Sequence, residues 1–441
     1  MNKQQQYVLS TVEERGIRFI RLWFTDILGS LKSFAITPAE LEVALTEGMQ
    51  FDGSSIDGFS RDQESDMLAM PDPTTFQTLP WRSGGDVARM FCDIVRPDGT
   101  PFEGDPRSVL RRNLKRAQEM GFSFYVGPEV EYFYFRDSSP EPEVLDQGGY
   151  FDLTPLDVAQ EYRRETIMAL ERLSIPVESS HHEVSPSQHE LDLRHTDALN
   201  MADNLVTTRL AVKEVAMEHG IYATFMPKPL EGHDGSGLHL HLSLFDGDDN
   251  AFHSDGAKDN LSPRAMQFMA GLLRHAPEIT AVTNQWVNSY KRLVEGFDAP
   301  VWASWGRNDQ SAVLRVPTAR LGKSASTRIE YRAPDPACNP YLAFSLMLAA
   351  GMRGVRGGYE LPDEADANLF EIGDDVLAKL GIQQLPQSLN DALVVMEQST
   401  LVQEALGEHI FEWFLRNKRS EWRAYKTQVT PFERDRYLGT L

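Results

Sequence analysis

The segment GSGLHLHLSLF constrains the fold more than any other stretch of this chain. Leucine at every second position forms an apolar face, and the opposite face carries His239, His241 and Ser243, because successive side chains of a strand point to opposite sides. The segment GPEVEYFYF repeats the pattern, with Glu129 and Glu131 on one face. The two segments predict a sheet with one apolar face and one face of ionisable groups.

Two further segments add ionisable groups to this predicted sheet. In TRIEYR, Arg328, Glu330 and Arg332 share a face. In HHEVSPSQHEL, Glu183 and Glu190 flank a Ser-Pro-Ser turn that can fold them towards one point. A solvated face of an antiparallel sheet would explain any one of these strands.

The four segments together favour a metal site. Flanking helices should partly cover both sheet faces, and a carboxylate buried without a partner costs several kcal/mol. Glutamates with one or two histidines suit the hard ions Mg²⁺ and Mn²⁺. Zinc is less suitable, because no cysteine lies near these segments. Converging arginines would complete the set that phosphoryl transfer needs, although each alone could be a structural ion pair. The candidate arginines are Arg292, Arg315, Arg328 and Arg332.

Composition excludes several classes of partner. The 441 residues carry a formal net charge of −22, whereas nucleic acids and anionic membranes need basic surface. Two cysteines imply no disulfide framework. The sequence shows neither an apolar N-terminal signal nor a run of about 20 apolar residues, so we expect a cytoplasmic protein without nucleic-acid or membrane partners.

The order of predicted elements indicates two domains. Residues 1–104 alternate short strands with a helix and predict a small α+β domain. Asp105 and Pro106 begin a basic helix, which opens a larger α+β domain over residues 105–441. The segment after Asn368 predicts helices.

Eight motifs in this order resemble type I glutamine synthetase, from about Ile17 to Leu438. They are FDGSSIDGF, ESDM, GPEVE, SHHEVSPSQHE, FMPKP, GSGLHLH, NSYKRLVEGFDAP and RIEYRAPDPACNPYLAF. The resemblance implies an α+β fold, with a small N-terminal β-grasp domain and a large catalytic domain whose curved antiparallel sheet forms a funnel flanked by helices. It also implies active sites between neighbouring subunits in a dodecamer of two six-membered rings.

The resemblance assigns ligands for two or three Mg²⁺ or Mn²⁺ ions per site, and ATP as co-substrate. One implied ion site consists of Glu131, Glu183 and Glu190. The other implied ion site consists of Glu129, His239 and Glu330. The residues implied for the nucleotide and its phosphates are Phe225, His241, Ser243, Arg315 and Arg328.

The resemblance also implies how glutamate and ammonia bind. Arg292 and Arg332 would hold the glutamate carboxylates, and Gly235, with Asp234 beside it, the amino group. Asp52 of the adjacent subunit would deprotonate ammonium. The rest of that pocket would comprise Ser55, Asp66, Tyr150 and Glu183. ATP would phosphorylate the γ-carboxylate of glutamate, and ammonia would then displace phosphate under a flap that excludes water.

Several positions depart from the family pattern and leave the nitrogen acceptor open. Asp298 replaces the flap glutamate, Gln310 replaces an arginine, and Asp234 replaces an asparagine. Three functions follow: a glutamate–ammonia ligase, a γ-glutamyl ligase for an amine such as a polyamine or ethanolamine, and a weakly active or non-catalytic homologue. Phe370 stands where adenylylated members carry a tyrosine, which suggests an alpha-like subgroup without this modification.

Overall fold

The structure is a computed structural model that describes residues 1–54, 56, 58, 66–81, 86–307, 311–319, 322–365, 377 and 381–441. It confirms the predicted α+β class, with a small N-terminal sheet and a larger second sheet. The sequence predictions for Gln310 and Phe370 lie outside the described residues.

The small domain has a six-stranded sheet in the order β2-β1-β6-β4-β3, with β5 paired to β6. Its strands are β1 Phe19–Thr25, β2 Leu31–Ile36, β3 Met49–Asp52, β4 Asp66–Pro71, β5 Gln77–Thr78 and β6 Val87–Val95. Its helices are α1 Lys3–Glu14 and α2 Leu41–Glu47. Gly48 ends α2 with a φ of 82°, a conformation that glycine adopts without strain.

The large domain has a ten-stranded sheet in the order β14-β15-β16-β12-β7-β9-β8. Three short strands lie off this path, with β10 and β11 paired to β7 and β13 paired to β12. The strands are β7 Ser123–Phe135, β8 Val177–His182, β9 Gln188–Leu193, β10 Thr196–Asp197, β11 Tyr222–Thr224, β12 Leu238–Asp246, β13 Asp249–Asn250, β14 Trp302–Gly306, β15 Ala312–Arg315 and β16 Ile329–Tyr331.

Helices cover the apolar face of the large sheet. The leucines of β12 are fully buried in one core with residues of the long helices, as their alternation predicts. The described helices of this domain are α3 Pro106–Gln118, α4 Gln160–Arg172, α5 Ala198–Glu218, α6 Pro263–Thr283, α7 Ser289–Arg292, α8 Pro340–Gly357, α9 Leu389–Glu397, α10 Thr400–Leu406, α11 Glu408–Lys426 and α12 Pro431–Tyr437. None of the helices in the described part of the chain has the length and apolarity needed to cross a membrane.

An ion-pair network joins the two domains. Arg107 on α3 lies 2.9 Å from a carboxylate oxygen of Asp203 on α5. The same guanidinium lies 3.0 Å from Asp72 and 2.5 Å from Asp93, which both belong to the small domain. Because Arg107 is buried, breaking these pairs would leave a desolvated charge without compensation. The network therefore fixes how the small sheet sits on the large domain.

Candidate active site

The central strands of the large sheet bring two glutamates and one histidine together. In the ladder between β7 and β12, His239 is paired with Glu129, and in the ladder between β12 and β16, His241 is paired with Glu330. Ligand-type atoms of Glu129, His239 and Glu330 lie within 4.8 Å of one another. The structure thus brings one predicted set of metal ligands together.

A second group forms where β8 and β9 join. His181, Glu183 and Glu190 place their ligand-type atoms within 4.8 Å of one another. Glu131 is directly paired with Glu190 across the strands, so both project from the same face of the sheet. His181 was not predicted, although it lies two residues before Glu183, a spacing that could have indicated it.

Glu131 lies between the two groups, and one of its oxygens has protein partners. Its Oε2 atom accepts hydrogen bonds from Gln188 Nε2 and from the Gly237 N–H, each at 2.9 Å. Its Oε1 atom lies 3.9 Å from Nε2 of His239. That nitrogen is buried and has no hydrogen-bond partner among the described residues. Nε2 of His239 thus points towards Oε1 of Glu131 without a hydrogen bond among the described residues.

The electrostatics of the two groups differ. Burial and the charge of Glu131 raise the pKa of Glu183 to about 9, and the same two causes raise the pKa of Glu190. Burial would also raise the pKa of Glu129, but hydrogen bonds from His239 and His241 hold it well below its usual range. The carboxylates of Glu131 on β7, Glu190 on β9 and the half-buried Glu183 repel each other, and a bound cation would remove this cost. The donor set of carboxylate oxygens and imidazole nitrogens therefore fits a divalent ion.

Both groups face one cavity of about 1190 Å³. Arg315 and Arg332 line it beside Glu330, which Arg315 contacts at 2.5 Å and Arg332 at 3.4 Å. Asp298 also lines the cavity and lies 3.2 Å from Arg332. The cavity thus combines the predicted metal ligands with two guanidinium groups that can bind phosphate or carboxylate.

Arg292 is held by backbone carbonyl oxygens of the cavity wall. It is buried, and its guanidinium donates hydrogen bonds to the carbonyl oxygens of Arg332, Ala333 and Pro334 at 2.8–3.2 Å. It also lies against Gly237, where a Cβ would come within 2.7 Å of Nη2. Arg292 therefore supports the backbone of the cavity wall. No contact in the structure tests its predicted role in binding glutamate.

The predicted nucleotide residues fall into two places. Nε2 of His241 lies 2.6 Å from Glu129, and its Nδ1 accepts a hydrogen bond from Arg328 at 3.2 Å. Ser243 is buried two positions further along the same strand. Phe225 instead lines a second cavity of about 800 Å³. The structure therefore does not bring Phe225 into the cavity of the metal ligands.

The predicted glutamate and ammonium residues are also divided. Tyr150 lines the large cavity, with its ring centroid 5.4 Å from that of His181. The carboxylate of Asp234 accepts the Asp298 N–H at 3.0 Å. Gly235 adjoins this contact, and its carbonyl oxygen accepts a hydrogen bond from Gln188 at 3.1 Å.

Two predicted residues lie on the small sheet. Asp52 is paired with Asp66 across β3 and β4, and both are exposed at the end of these strands, outside the lining of the large cavity. Hydrogen bonds from the backbone and side chain of Ser54 hold the pKa of Asp52 below its usual value. Ser55 lies outside the described residues.

Comparison with protein families accounts for both domains. The model described as "Glutamine synthetase, beta-Grasp domain" matches residues 16–97, and "Glutamine synthetase, catalytic domain" matches residues 103–437. The chain is 56% identical to the glutamine synthetase of Mycolicibacterium smegmatis, over the full length of both proteins. It is 50% identical to that of Methanosarcina mazei, over 98% of this chain and 97% of the relative.

Solved structures show the same fold. The cryo-EM structure of Plasmodium falciparum glutamine synthetase has a TM-score of 0.91 at 25% identity and covers 98% of each chain. The GmaS/ADP complex has a TM-score of 0.89 at 32% identity, over 98% of this chain and 99% of the other. These matches confirm the predicted β-grasp domain and the curved sheet of the large domain. The chain belongs to the glutamine synthetase family and is a glutamate–ammonia ligase.

Proposed function

We propose that this chain uses ATP to join ammonia to the γ-carboxylate of L-glutamate through γ-glutamyl phosphate, which gives glutamine, ADP and phosphate. One observation carries the proposal: two carboxylate–histidine groups face a single cavity together with Arg315 and Arg332. Phosphoryl transfer depends on charge neutralisation and positioning, and this cavity has residues suited to both.

The two groups would each hold a divalent ion, Mg²⁺ or Mn²⁺, with room for a third in the cavity. Glu129, His239 and Glu330 would hold one ion. Glu183 and Glu190 would hold the other with Glu131, which neighbours them on the same face. When bound, such ions offset negative charge on the phosphoryl oxygens. His181 would orient the second set, because its Nε2 lies 3.1 Å from Glu190.

The arginines and the nucleotide residues would divide the two substrates between them. Arg332 faces the cavity and would hold a carboxylate of glutamate, with Asp234 and Gly235 near its amino group. Arg315 and Arg328 would face the phosphates of ATP, beside His241 and Ser243. The structural likeness to the GmaS/ADP complex supports an adenine nucleotide as ligand. The contacts of Phe225 with the nucleotide and of Arg292 with glutamate stay predictions.

The ammonium pocket would be completed by a neighbouring copy of the chain. Asp52 and Asp66 lie on the small sheet, and with Ser55 they would enter the cavity of the adjacent subunit. There they would meet Tyr150 and Glu183, and Asp52 would take the proton of ammonium. The segment that carries Asp298 would shield the acyl phosphate from water. A dodecamer of two six-membered rings is the assembly that we propose, in the cytoplasm, with the domain boundary at residue 104.

The test is phosphate release with glutamate, ATP and Mg²⁺, in the presence of ammonium, ethanolamine or a polyamine. We expect phosphate release to require glutamate and to be most efficient with ammonium. Hydroxylamine should intercept the acyl phosphate and give a hydroxamate only when ATP is present. Preference for either amine by kcat/KM would contradict ammonia as acceptor, and absence of the hydroxamate would contradict the intermediate.

A further inference from the structure

A third group of ionisable side chains lies outside the two sets assigned to metal ions. Asp146, His182 and His189 place their ligand-type atoms within 4.8 Å of one another, and all three residues are buried. Two histidines and one carboxylate are a set that divalent transition metals use in other proteins. The hydrogen bonds decide whether a metal fits here.

These hydrogen bonds leave neither histidine a free lone pair. Nδ1 of His182 lies 2.7 Å from the carbonyl oxygen of Glu183, which can only accept, so this nitrogen carries a proton. Nε2 of His182 lies 3.1 Å from Oδ1 of Asp146 and donates to it. Nδ1 of His189 accepts from the guanidinium of Arg163 at 2.9 Å, so its Nε2 carries the proton. A metal ion needs those lone pairs, and the group is therefore a hydrogen-bonded anchor.

The anchor ties the loop before α4 to the turn between β8 and β9. Oδ1 of Asp146 also accepts the Ser187 N–H at 2.8 Å and the Gly148 N–H at 3.4 Å. In return, Oγ of Ser187 accepts the Leu145 N–H at 2.6 Å and the Asp146 N–H at 3.3 Å. A Cβ at Gly148 would lie 2.7 Å from Nε2 of His182, so only glycine allows this close approach.

The anchor holds both sides of Tyr150. On the N-terminal side, Asp146 is fixed four residues before Tyr150. On the C-terminal side, the N–H of the next residue, Phe151, donates to the carbonyl oxygen of His182 at 3.1 Å. The rings of Tyr150 and Phe151 stack with centroids 4.2 Å apart. Both rings lie edge-on to the His181 ring, with centroid distances of 5.4 Å for Tyr150 and 4.7 Å for Phe151. The backbone around Tyr150 is thus fixed relative to the turn that carries Glu183.

We propose that Asp146 is a positioning residue for the ammonium pocket, which with His182 and Ser187 fixes Tyr150 above the cavity. Asp146 acts through Tyr150 and touches no substrate. The inference rests on the proposed function, since that function assigns Tyr150 to the ammonium pocket.

The test is a double-mutant cycle of Asp146→Ala and Tyr150→Ala, with KM measured for ammonium, glutamate and ATP. We expect Asp146→Ala to raise the ammonium KM about tenfold, because small displacements at a reacting centre are costly. The KM for ATP should change less than about twofold, because the nucleotide residues lie on other strands. In the Tyr150→Ala background, Asp146→Ala should add little, because residues that act as one unit are not additive.

Three further variants test the mechanism. Asp146→Asn keeps an oxygen for the backbone N–H groups and should recover most of the ammonium affinity. Ser187→Ala removes the other half of the anchor with little change in volume, so it should raise the ammonium KM even where Asp146→Ala fails to fold. Glu278→Ala breaks a histidine–carboxylate pair of 2.7 Å with His275, remote from the cavity, and should leave the ammonium KM unchanged.

The remaining outcomes separate a failure of the positioning proposal from a failure of the proposed function. Additive effects of the two mutations, or an equal rise of all three KM values, would overturn positioning through Tyr150. An unchanged ammonium KM in Tyr150→Ala would remove Tyr150 from the pocket, and the positioning proposal with it. Loss of hydroxamate formation in the wild-type protein would instead show that the proposed function itself has failed.

Discussion

The carboxylate of Asp298 lies 3.2 Å from Nη2 of Arg332. The guanidinium that we assign to a glutamate carboxylate is therefore paired with an aspartate of the protein. The backbone N–H of Asp298 is held at the same time by the carboxylate of Asp234, at 3.0 Å. Both aspartates are positions where the sequence resemblance predicts a different residue. The contact holds the segment around Asp298 against the cavity wall, and with Arg332 holding glutamate as we propose, the Asp298 carboxylate would compete with the substrate.

Asp298→Asn should therefore tighten glutamate binding. The side chain of Asp298 is 40% exposed, and such a pair contributes at most about 1 kcal/mol. We expect the Kd for glutamate to fall about threefold in the absence of ATP, measured by calorimetry. Glu295→Gln removes one charge from an exposed position of the same segment and is the matched control. An unchanged or weaker affinity in Asp298→Asn would show that the two carboxylates do not compete.

The buried carboxylates that would bind a metal ion should destabilise the metal-free fold. Burial and the charges of Glu131 and Asp192 raise the pKa of Glu190, so the metal-free fold carries a like-charge cost. Glu190→Gln should raise the Tm by a few degrees in EDTA, because it removes that cost. The same variant should lose most of the stabilisation by Mn²⁺, which for an intact site at 100 times Kd is about 2.7 kcal/mol.

Thermal unfolding with EDTA and with Mn²⁺ measures both effects. Glu161→Gln changes a glutamate at the rim of the same cavity, outside both ligand groups, and should behave like the wild type in both conditions. A Glu190→Gln variant that is destabilised in EDTA and still responds fully to Mn²⁺ would exclude Glu190 as a metal ligand.

Alternation along single strands predicted most of the candidate site. Because side chains two apart share a face, Glu129 and Glu131, and His239 and His241, could be placed together before any tertiary contact was known. The resemblance to one family added the β-grasp type of the small domain and the curved sheet of the large one. Contacts that depend on how neighbouring strands pair became visible only in the structure. The spacing of two between His181 and Glu183 could have indicated that they lie close together, whereas the contact of His181 with Glu190 depends on the pairing of β8 with β9.

The arginines show a second limit of sequence reasoning. Arg292 and Arg332 have the same side chain, and the family resemblance assigns both of them to the glutamate carboxylates. Only the folded chain shows that the carbonyl oxygens after β16 converge on Arg292, whereas Arg332 faces the cavity. The surroundings of Phe225 likewise depend on where α5 and α11 close the second cavity. Such contacts are set by distant parts of the chain.

The Asp72 contact predicts an acid-sensitive domain interface. Burial opposes ionisation of Asp72, but the guanidinium groups of Arg107 and Arg111 hold its pKa below the ordinary value of 3.8. Since the folded pKa lies below the unfolded one, the pair stabilises the fold above about pH 4 and loses this effect as the pH falls further. Asp72→Asn should cost about 2 kcal/mol at pH 7, the size of a hydrogen bond to a charged group.

Urea unfolding at pH 7 and at about pH 3 measures this difference. The free energy of unfolding of Asp72→Asn should fall less steeply with acid than that of the wild type, since one titrating contact is gone. Glu42→Gln, at an exposed helical position of the same domain, should match the wild type at both pH values. Equal acid slopes in Asp72→Asn and wild type would exclude this contact as a source of acid sensitivity.

Mixed assemblies test whether the active site is shared between copies. Asp52 is exposed on the small sheet, outside the cavity that holds Glu190, so each proposed site takes Asp52 from one copy and Glu190 from its neighbour. Asp52→Asn and Glu190→Gln should each lower kcat by about 100-fold or more when assembled alone.

Co-expressed in equal amounts, the two variants should regain about a quarter of wild-type activity, because half of the chains supply each intact part and a site needs both in a symmetric ring. Mixing after assembly should regain less, since the copies must exchange first. A co-expressed mixture no more active than the better single variant would show that Asp52 and Glu190 act within one chain, and the assembly proposal would then fail.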